Sequence, residues 1–469
     1  MRCQYSQFRE RGRVGRFSVH VIVGDANFLS RRTSALLFPC FFGTLPCVRR
    51  FPAMINWILL GYMWLYIHRP FEVWTVFGRV RLELLYAICM ILVWVASSSE
   101  KRELGNIFTP AVFFYTFAII VATLLSPYTD VLSNGDLYDW LKFILLYVFL
   151  LTSVKTEKDL KIVVTGFVVA CFLFIGHSYR EFLNGRVLYA AGAPRLVGVG
   201  VTFSEYNDYG TMIVCFLPLI FPLLTLCKKH WHYLFVLGYL LLTLRSVMLT
   251  GSRTAFIMVV SLAILPVLFS RHRLKLIPIV LIVAPIGWMV MPETLQDRYR
   301  TIWDPTINEQ ANVNMRGRTV GFYDGIDNWM NNPLFGVGPA QHGAARGGSF
   351  QAHNLPGQVA GETGTLGVMA FLMMLACFGI NHLNNWKNYK FLKEKNLGME
   401  GLYCWRVSIA VMYAVMMVLF QGLGLHNAYR FPLVWFGAFQ ALSTMMLQEK
   451  VDAAIKGQLL PKLPVIKKQ

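Results

Sequence analysis

His353 and Glu362 stand at the mouth of, and just inside, a hydrophobic run that begins at Leu355. A histidine and a carboxylate in such places are costly for packing alone and point to chemistry at a membrane face. His353 precedes the predicted first helical turn, where Pro356 is well tolerated. A helix N-terminus disfavours the imidazolium cation, and the neutral imidazole is the form that accepts a proton. A second group is Gly251-Ser252-Arg253-Thr254-Ala255. Arg253 follows a two-residue turn and starts an apolar helix, whose free N–H groups and positive dipole end suit a phosphate. Ser252 and Thr254 add hydroxyls.

Further arginines lie on the same predicted side. Arg195 sits in Ala193-Pro194-Arg195-Leu196-Val197-Gly198-Val199-Gly200, ahead of Glu205-Tyr206-Asn207-Asp208. Arg316 and Arg318 flank Gly317 in a long hydrophilic stretch. The planar guanidinium fork matches phosphate oxygens two at a time. Each residue also has an ordinary reading: an arginine that snorkels or is solvated, a histidine that only bonds a loop carbonyl. Glu362 lies nine residues after His353, about two and a half turns, so it points away from the histidine on an ideal helix. Its expected places are the deeper lining of a pocket or beside a basic residue of a neighbouring span. Gly357, Gly361 and Gly364 form a small-residue stripe whose default use is close helix packing. D-x-D, H-E-x-x-H and P-loop patterns are lacking, so metal-dependent transfer, zinc proteolysis and nucleotide hydrolysis lose support. No metal and no cofactor is expected.

The elements that must position these groups follow from composition. The chain has 469 residues, 55% of them hydrophobic and only 15% charged, against about a quarter charged in a soluble domain. Its mean hydropathy is +0.49. Continuous apolar runs of roughly 17–25 residues mark an all-α polytopic membrane protein rather than a barrel, whose strands would alternate. Twelve spans are predicted: 55–67, 80–96, 107–125, 138–153, 160–177, 208–227, 232–249, 253–270, 274–291, 356–380, 404–424 and 429–447. The organisation expected is a basic extension 1–53, disordered or interfacial; spans 1–9 within 54–292; one large external loop, 293–354; spans 10–12 within 355–448; and a basic tail, 449–469. None of the nine cysteines falls in 293–354 and no C-x-x-C occurs, so neither a disulfide framework nor a metal knuckle is supported.

Charge sets the orientation. The net charge of +19 is concentrated in short loops and at the two ends, which suits an anionic lipid leaflet; no nucleic-acid-binding module is present. Basic residues follow every even-numbered span: Lys101 and Arg102; Lys155 and Lys158; Lys228 and Lys229; Arg271, Arg273 and Lys275; Lys387, Lys390, Lys393 and Lys395. Both termini are therefore expected in the cytoplasm, and the candidate residues on the external face. ATP is absent there, so a substrate must arrive already activated.

Taken in order, Leu249-Thr250-Gly251-Ser252-Arg253-Thr254-Ala255, then Arg318 ahead of Asn332-Pro333-Leu334-Phe335-Gly336-Val337-Gly338, then Ala352-His353-Asn354 with Glu362-Thr363-Gly364-Thr365-Leu366-Gly367, resemble the O-antigen ligase and polymerase superfamily. The likeness covers roughly residues 190–370. It implies an inverting, metal-independent glycosyltransferase in the bacterial inner membrane, with its active site on the periplasmic face. The implied donor is a polyprenyl-diphosphate-linked glycan, and the acceptor is a glycolipid such as lipid A-core, a growing glycan or a protein hydroxyl. By position, His353 matches the family's base, Arg195 and Arg318 the loop arginines that hold its diphosphate, Arg253 the arginine of its Ser-Arg motif, also expected to bind the donor diphosphate, and Glu362 a recurrent acid. A polysaccharide transporter is the non-enzymatic alternative; it should show internal repeats, and none is evident. Orientation is checked directly: cysteines placed in 295–350 should react with an impermeant thiol reagent in intact cells, and one placed in 387–395 should stay unlabelled.

Overall fold

The computed structural model describes residues 51–74, 82–97, 101–128, 135–190, 193–200, 203–269, 291–304, 309–348 and 352–459, and a few helical positions between 274 and 289. The basic extension to residue 50, the charges Arg271, Arg273 and Lys275, and the last ten residues lie outside them.

The fold is helical. In chain order the helices are α1 (Phe51–His68), α2 (Pro70–Val73), α3 (Leu82–Ala96), α4 (Phe108–Leu124), α5 (Asp136–Ser153) and α6 (Glu157–Leu183). A two-stranded antiparallel hairpin follows, β1 (Leu188–Ala190) and β2 (Ala193–Arg195), with Leu188 opposite Arg195. Then come α7 (Tyr206–Phe216), a 3-10 turn at Leu217–Leu219, α8 (Ile220–Leu223), α9 (His230–Thr250), α10 (Arg253–Phe269), α11 (Glu293–Arg300), α12 (Glu309–Asn331), α13 (His342–Ala345), α14 (Leu355–Glu394), α15 (Gly398–Gly422) and α16 (Phe431–Ile455).

Helices thus occupy the apolar runs of the sequence. Among the described residues α6, α9, α14 and α15 are long and apolar enough to cross a membrane; α3, α4 and the first part of α10 are apolar but shorter. Pro218 and Pro222 explain why the run at 208–227 is broken into α7, a 3-10 turn and α8. At the centre, α16 is buried on every side from Phe431 to Ser443. Tyr66 and Phe143 pack edge-on against Trp435, and Phe431 lies tilted against it. The outer helices instead expose apolar side chains, Leu92 and Val95 on α3 and Leu234, Leu237 and Leu241 on α9, a surface that suits lipid.

One end of the helices is tied together by charged and polar contacts. There Arg102 pairs with Glu449, Lys450 with Glu157, and Asn56 donates to Asp159 at 2.8 Å. The turns and helix starts that carry the candidate residues meet at the other end.

The stretch 293–354 is expected as one large loop between spans; its described residues include the helices α11, α12 and α13. α12 lies against the first turns of α14 with glycine facing glycine. A Cβ on Gly321 would collide with the Ala352 carbonyl, and one on Gly325 with the Gly357 carbonyl. From the other side, Gly361 sits against Gly325 and Asn328. Gly357 and Gly361 therefore pack as the stripe predicts, but Gly364 does something different. It breaks α14, with φ 63° and ψ −163°, a conformation only glycine adopts without strain. The backbone groups freed by the break bond the segment 333–338: Val337 N donates to Gly361 O at 2.9 Å, Gly338 N to Glu362 O at 3.0 Å, and Thr365 N to Pro333 O at 2.8 Å. The Pro333–Gly338 and Glu362–Gly367 motifs are thus each other's partners. Gly325→Val should force α12 off α14 and lower the melting temperature of the purified protein, because overpacking a tight contact costs about 1–3 kcal/mol.

Candidate active site

The α12–α14 contact fixes the histidine. Ala352 is clamped by Gly321, Asn354 caps α14 by accepting from Gly357 N at 3.0 Å, and His353 between them takes a left-handed backbone with φ 45°. Such a conformation is strained for histidine and persists only where neighbours impose it. His353 opens onto a cavity of about 830 Å³, whose walls include Tyr206, Asp208, Arg253, Arg298, Arg318 and His426.

Arginines form one side. α9 ends with Gly251 in the left-handed region (φ 60°), and α10 begins at Arg253. Arg253 Nη1 donates to Thr301 Oγ1 at 3.1 Å. Arg318 reaches across from α12, its Nη1 3.4 Å from Thr254 Oγ1, and passes so close to Gly424 that a Cβ there would stand 3.1 Å from the guanidinium carbon. Arg298, on α11, turns inward and its Nε donates to Gly251 O at 2.7 Å. Arg195 lies behind them, fully buried, with its guanidinium 4.2 Å above the Tyr206 ring and its three nitrogens lacking hydrogen-bond partners among the described residues. It does not line the cavity. These cations depress one another: burial and neighbouring Arg195 bring Arg298 down to about 10. Burial and then Arg253 lower Arg318. Burial also lowers Arg195, with Arg253 adding to it. A cluster of guanidiniums held together in this way is relieved by a bound anion of high charge density.

The opposite side carries the histidines. His353 and His426 rings lie 5.2 Å apart, centre to centre. His426 comes from the loop 423–430, which buried amides pin down. Asn427 Nδ2 donates to Val418 O at 3.0 Å and to Gln421 Oε1 at 3.2 Å, and Ala428 N donates to Gln358 Oε1 at 3.1 Å. Burial, then Arg318, push the His353 pKa below the usual histidine value, against a smaller opposing pull from Asp208. Burial, then His353, push His426 down to about 3. Both imidazoles are therefore neutral at neutral pH.

Of the residues singled out in the sequence, His353, Arg253 and Arg318 converge on this cavity. Ser252 is buried behind it, where its Oγ accepts from Ala255 N at 3.4 Å. Glu362 is fully buried in α14, accepting from Gln358 Nε2 at 3.3 Å, and stands on the wall of neither this cavity nor its neighbour. The side chain of Arg316 lies outside the described residues. Sequence reasoning missed Arg298 and His426. It also missed the Arg430–Asp208 ion pair at 3.3 Å, which links α16 to α7. Among the described residues no group of three or more His, Cys, Asp or Glu is disposed to hold a metal ion.

Residues 238–372 match the family model described as O-antigen ligase, whose members are glycosyltransferase-like ligases or polymerases. The matched segment contains Arg253, Arg298, Arg318, His353 and Glu362. Arg195, Asp208 and His426 fall outside it. No curated protein matches the chain. The likeness and the long apolar helices are those of a membrane protein.

The arginine wall makes a direct prediction. Inorganic pyrophosphate should bind the protein in nanodiscs, and Arg253→Ala, Arg298→Ala and Arg318→Ala should each weaken it roughly ten- to hundredfold, the range for loss of a charged hydrogen bond. Arg318→Lys should restore only part of the affinity, because the fork is lost. Equal binding by all four variants in isothermal titration would remove the anion site.

Proposed function

We propose that the protein is a membrane glycan ligase that moves a polysaccharide from a polyprenyl-diphosphate carrier to an acceptor hydroxyl on the external face of the bacterial inner membrane. The observation that carries this reading is the pairing, across one cavity, of clustered guanidiniums with a histidine held neutral.

Glycosyl transfer from a diphosphate needs two things: a group to take the acceptor proton and a place for the negative charge of the leaving group. His353 removes the hydroxyl proton as the acceptor oxygen attacks the anomeric carbon. The bond from that carbon to the phosphate oxygen breaks on the opposite side, which inverts the configuration. Arg253, Arg298 and Arg318 hold the polyprenyl diphosphate as it leaves with the electron pair. The proton on His353 then passes to water. In this scheme the donor is already energised and the arginines carry the charge that a metal ion otherwise would.

The acceptor classes are a lipid A-core sugar, the growing glycan itself, as in a polymerase, and a protein hydroxyl. They are told apart by which glycolipids accumulate in a deletion strain. The chemistry is tested by His353→Ala, which should fold, keep its pyrophosphate affinity and lose about 10²–10⁴ in transfer rate. Because the neutral imidazole is the active form and its pKa is depressed, the wild-type rate should stay level through neutral pH. It should fall only once the pH drops below about 6.5, the ordinary histidine value. Near-wild-type turnover by His353→Ala with purified donor and acceptor would exclude this base.

A further inference from the structure

A second cavity, of about 500 Å³, adjoins the first. The two share Glu205, Asp208 and His426 as a common wall. The far side is built from the end of α1, the first turns of α5 and the loop before α16, and presents Tyr66, Asp136, Asp139, Tyr429 and Arg430.

Its chemistry is the reverse of the arginine cavity. The cations on its walls are committed: Arg430 bonds Asp208 at 3.3 Å and Arg69 bonds Glu72 at 2.6 Å. Carboxylates exceed cations, so an anion is disfavoured here. Acids in the first turn of a helix ordinarily serve its dipole, and Asp139 also bonds Lys142 at 2.9 Å; the chamber in addition holds a buried donor that lacks a partner among the described residues, Arg69 Nε. The Tyr429 hydroxyl, on a residue 6% exposed, is directed at buried Glu362. Carboxylates, a buried donor and aromatic rings around a polar volume are what a neutral polyhydroxylated ring needs: partners for its hydroxyls and a face for its C–H side.

We propose that this chamber is the acceptor-sugar subsite, with Asp208 and His426 as the threshold over which the acceptor hydroxyl reaches His353. The proposal rests on the ligase reading above and adds to it where the second substrate sits. Placing the two sugars in separate, oppositely charged chambers gives the geometry that inversion requires, since the nucleophile enters on one side of the anomeric carbon and the diphosphate leaves on the other.

The test uses full-length protein in nanodiscs and two probes, inorganic pyrophosphate and a panel of methyl glycosides of hexoses, heptoses and hexosamines, followed by saturation-transfer NMR. At least one glycoside should bind the wild type without displacing pyrophosphate. Asp136→Asn and the milder Tyr429→Phe should each weaken that glycoside, by about tenfold for the carboxylate, and leave pyrophosphate binding unchanged. Arg298→Ala should do the opposite. Binding of pyrophosphate with no glycoside bound would overturn the acceptor subsite while leaving the ligase reading standing. So would glycoside affinity unchanged in both chamber variants, or pyrophosphate competing with the glycoside. Wild-type protein that binds no pyrophosphate would instead strike at the ligase reading.

Discussion

The close approach of α12 to α14 is the contact on which the site depends. Two helices can come this near only where side chains are absent, and glycines 321, 325, 357 and 361 supply that absence on both sides. What the contact achieves is placement. α12 carries Arg318 and α14 begins just after His353, so one packed surface sets the cation and the base relative to each other. The exchange of backbone hydrogen bonds between 333–338 and the break at Gly364 locks the same arrangement from behind. A buried helix break would otherwise leave peptide groups without partners, at a cost of about 1–3 kcal/mol each. The inserted segment satisfies them and is itself fixed in return.

Against this rigid frame the electrostatics are left unbalanced. Guanidiniums from β2, α10, α11 and α12 stand near one another, and burial and mutual repulsion lower the proton affinity of Arg195, Arg298 and Arg318. The same positive field, acting through Arg318, helps to hold His353 neutral. One charge cluster therefore prepares both halves of the proposed reaction, a seat for the departing anion and a free imidazole for the incoming hydroxyl. A diphosphate would cancel much of that field on binding. The preparation is complete before the substrate arrives, which is the condition under which fixed charges are most effective in catalysis.

Much of this was legible in the chain. Continuous apolar runs locate the helices, and Gly251 ahead of Arg253 marks the turn between α9 and α10. His353, Arg253 and Arg318, which line one cavity, stand out in the sequence because each sits at a helix start or in a polar stretch flanked by apolar ones. α12 was not found, because its composition is polar, although Gly317, Gly321 and Gly325 recur every four residues and are the signal that could have revealed it. Arg298 was hidden in Glu293-Thr294-Leu295-Gln296-Asp297-Arg298-Tyr299-Arg300, where local sequence cannot tell an inward arginine from a solvated one. In the structure Arg300 pairs with Asp297 at 2.8 Å while Arg298 turns to the Gly251 carbonyl. His426 and the second chamber draw their walls from segments hundreds of residues apart, and only tertiary contact assembles them.

The length of α14 also sets a depth. From Trp386 to the break at Gly364 is 22 residues, or about 33 Å of helix at 1.5 Å per residue, close to the roughly 30 Å thickness of a hydrocarbon core. Trp386 and Tyr389, beside Lys390 and Lys393, make the kind of aromatic and basic band that sits at a lipid–water boundary. With that band at one boundary, Gly364 falls at the other. The short helical piece ahead of it, and His353 at its tip, then stand among the lipid headgroups. Under the proposed function, a polyprenyl carrier lying in the same leaflet would bring its diphosphate to that layer, and the reacting groups would meet at a common height without the carrier leaving the bilayer.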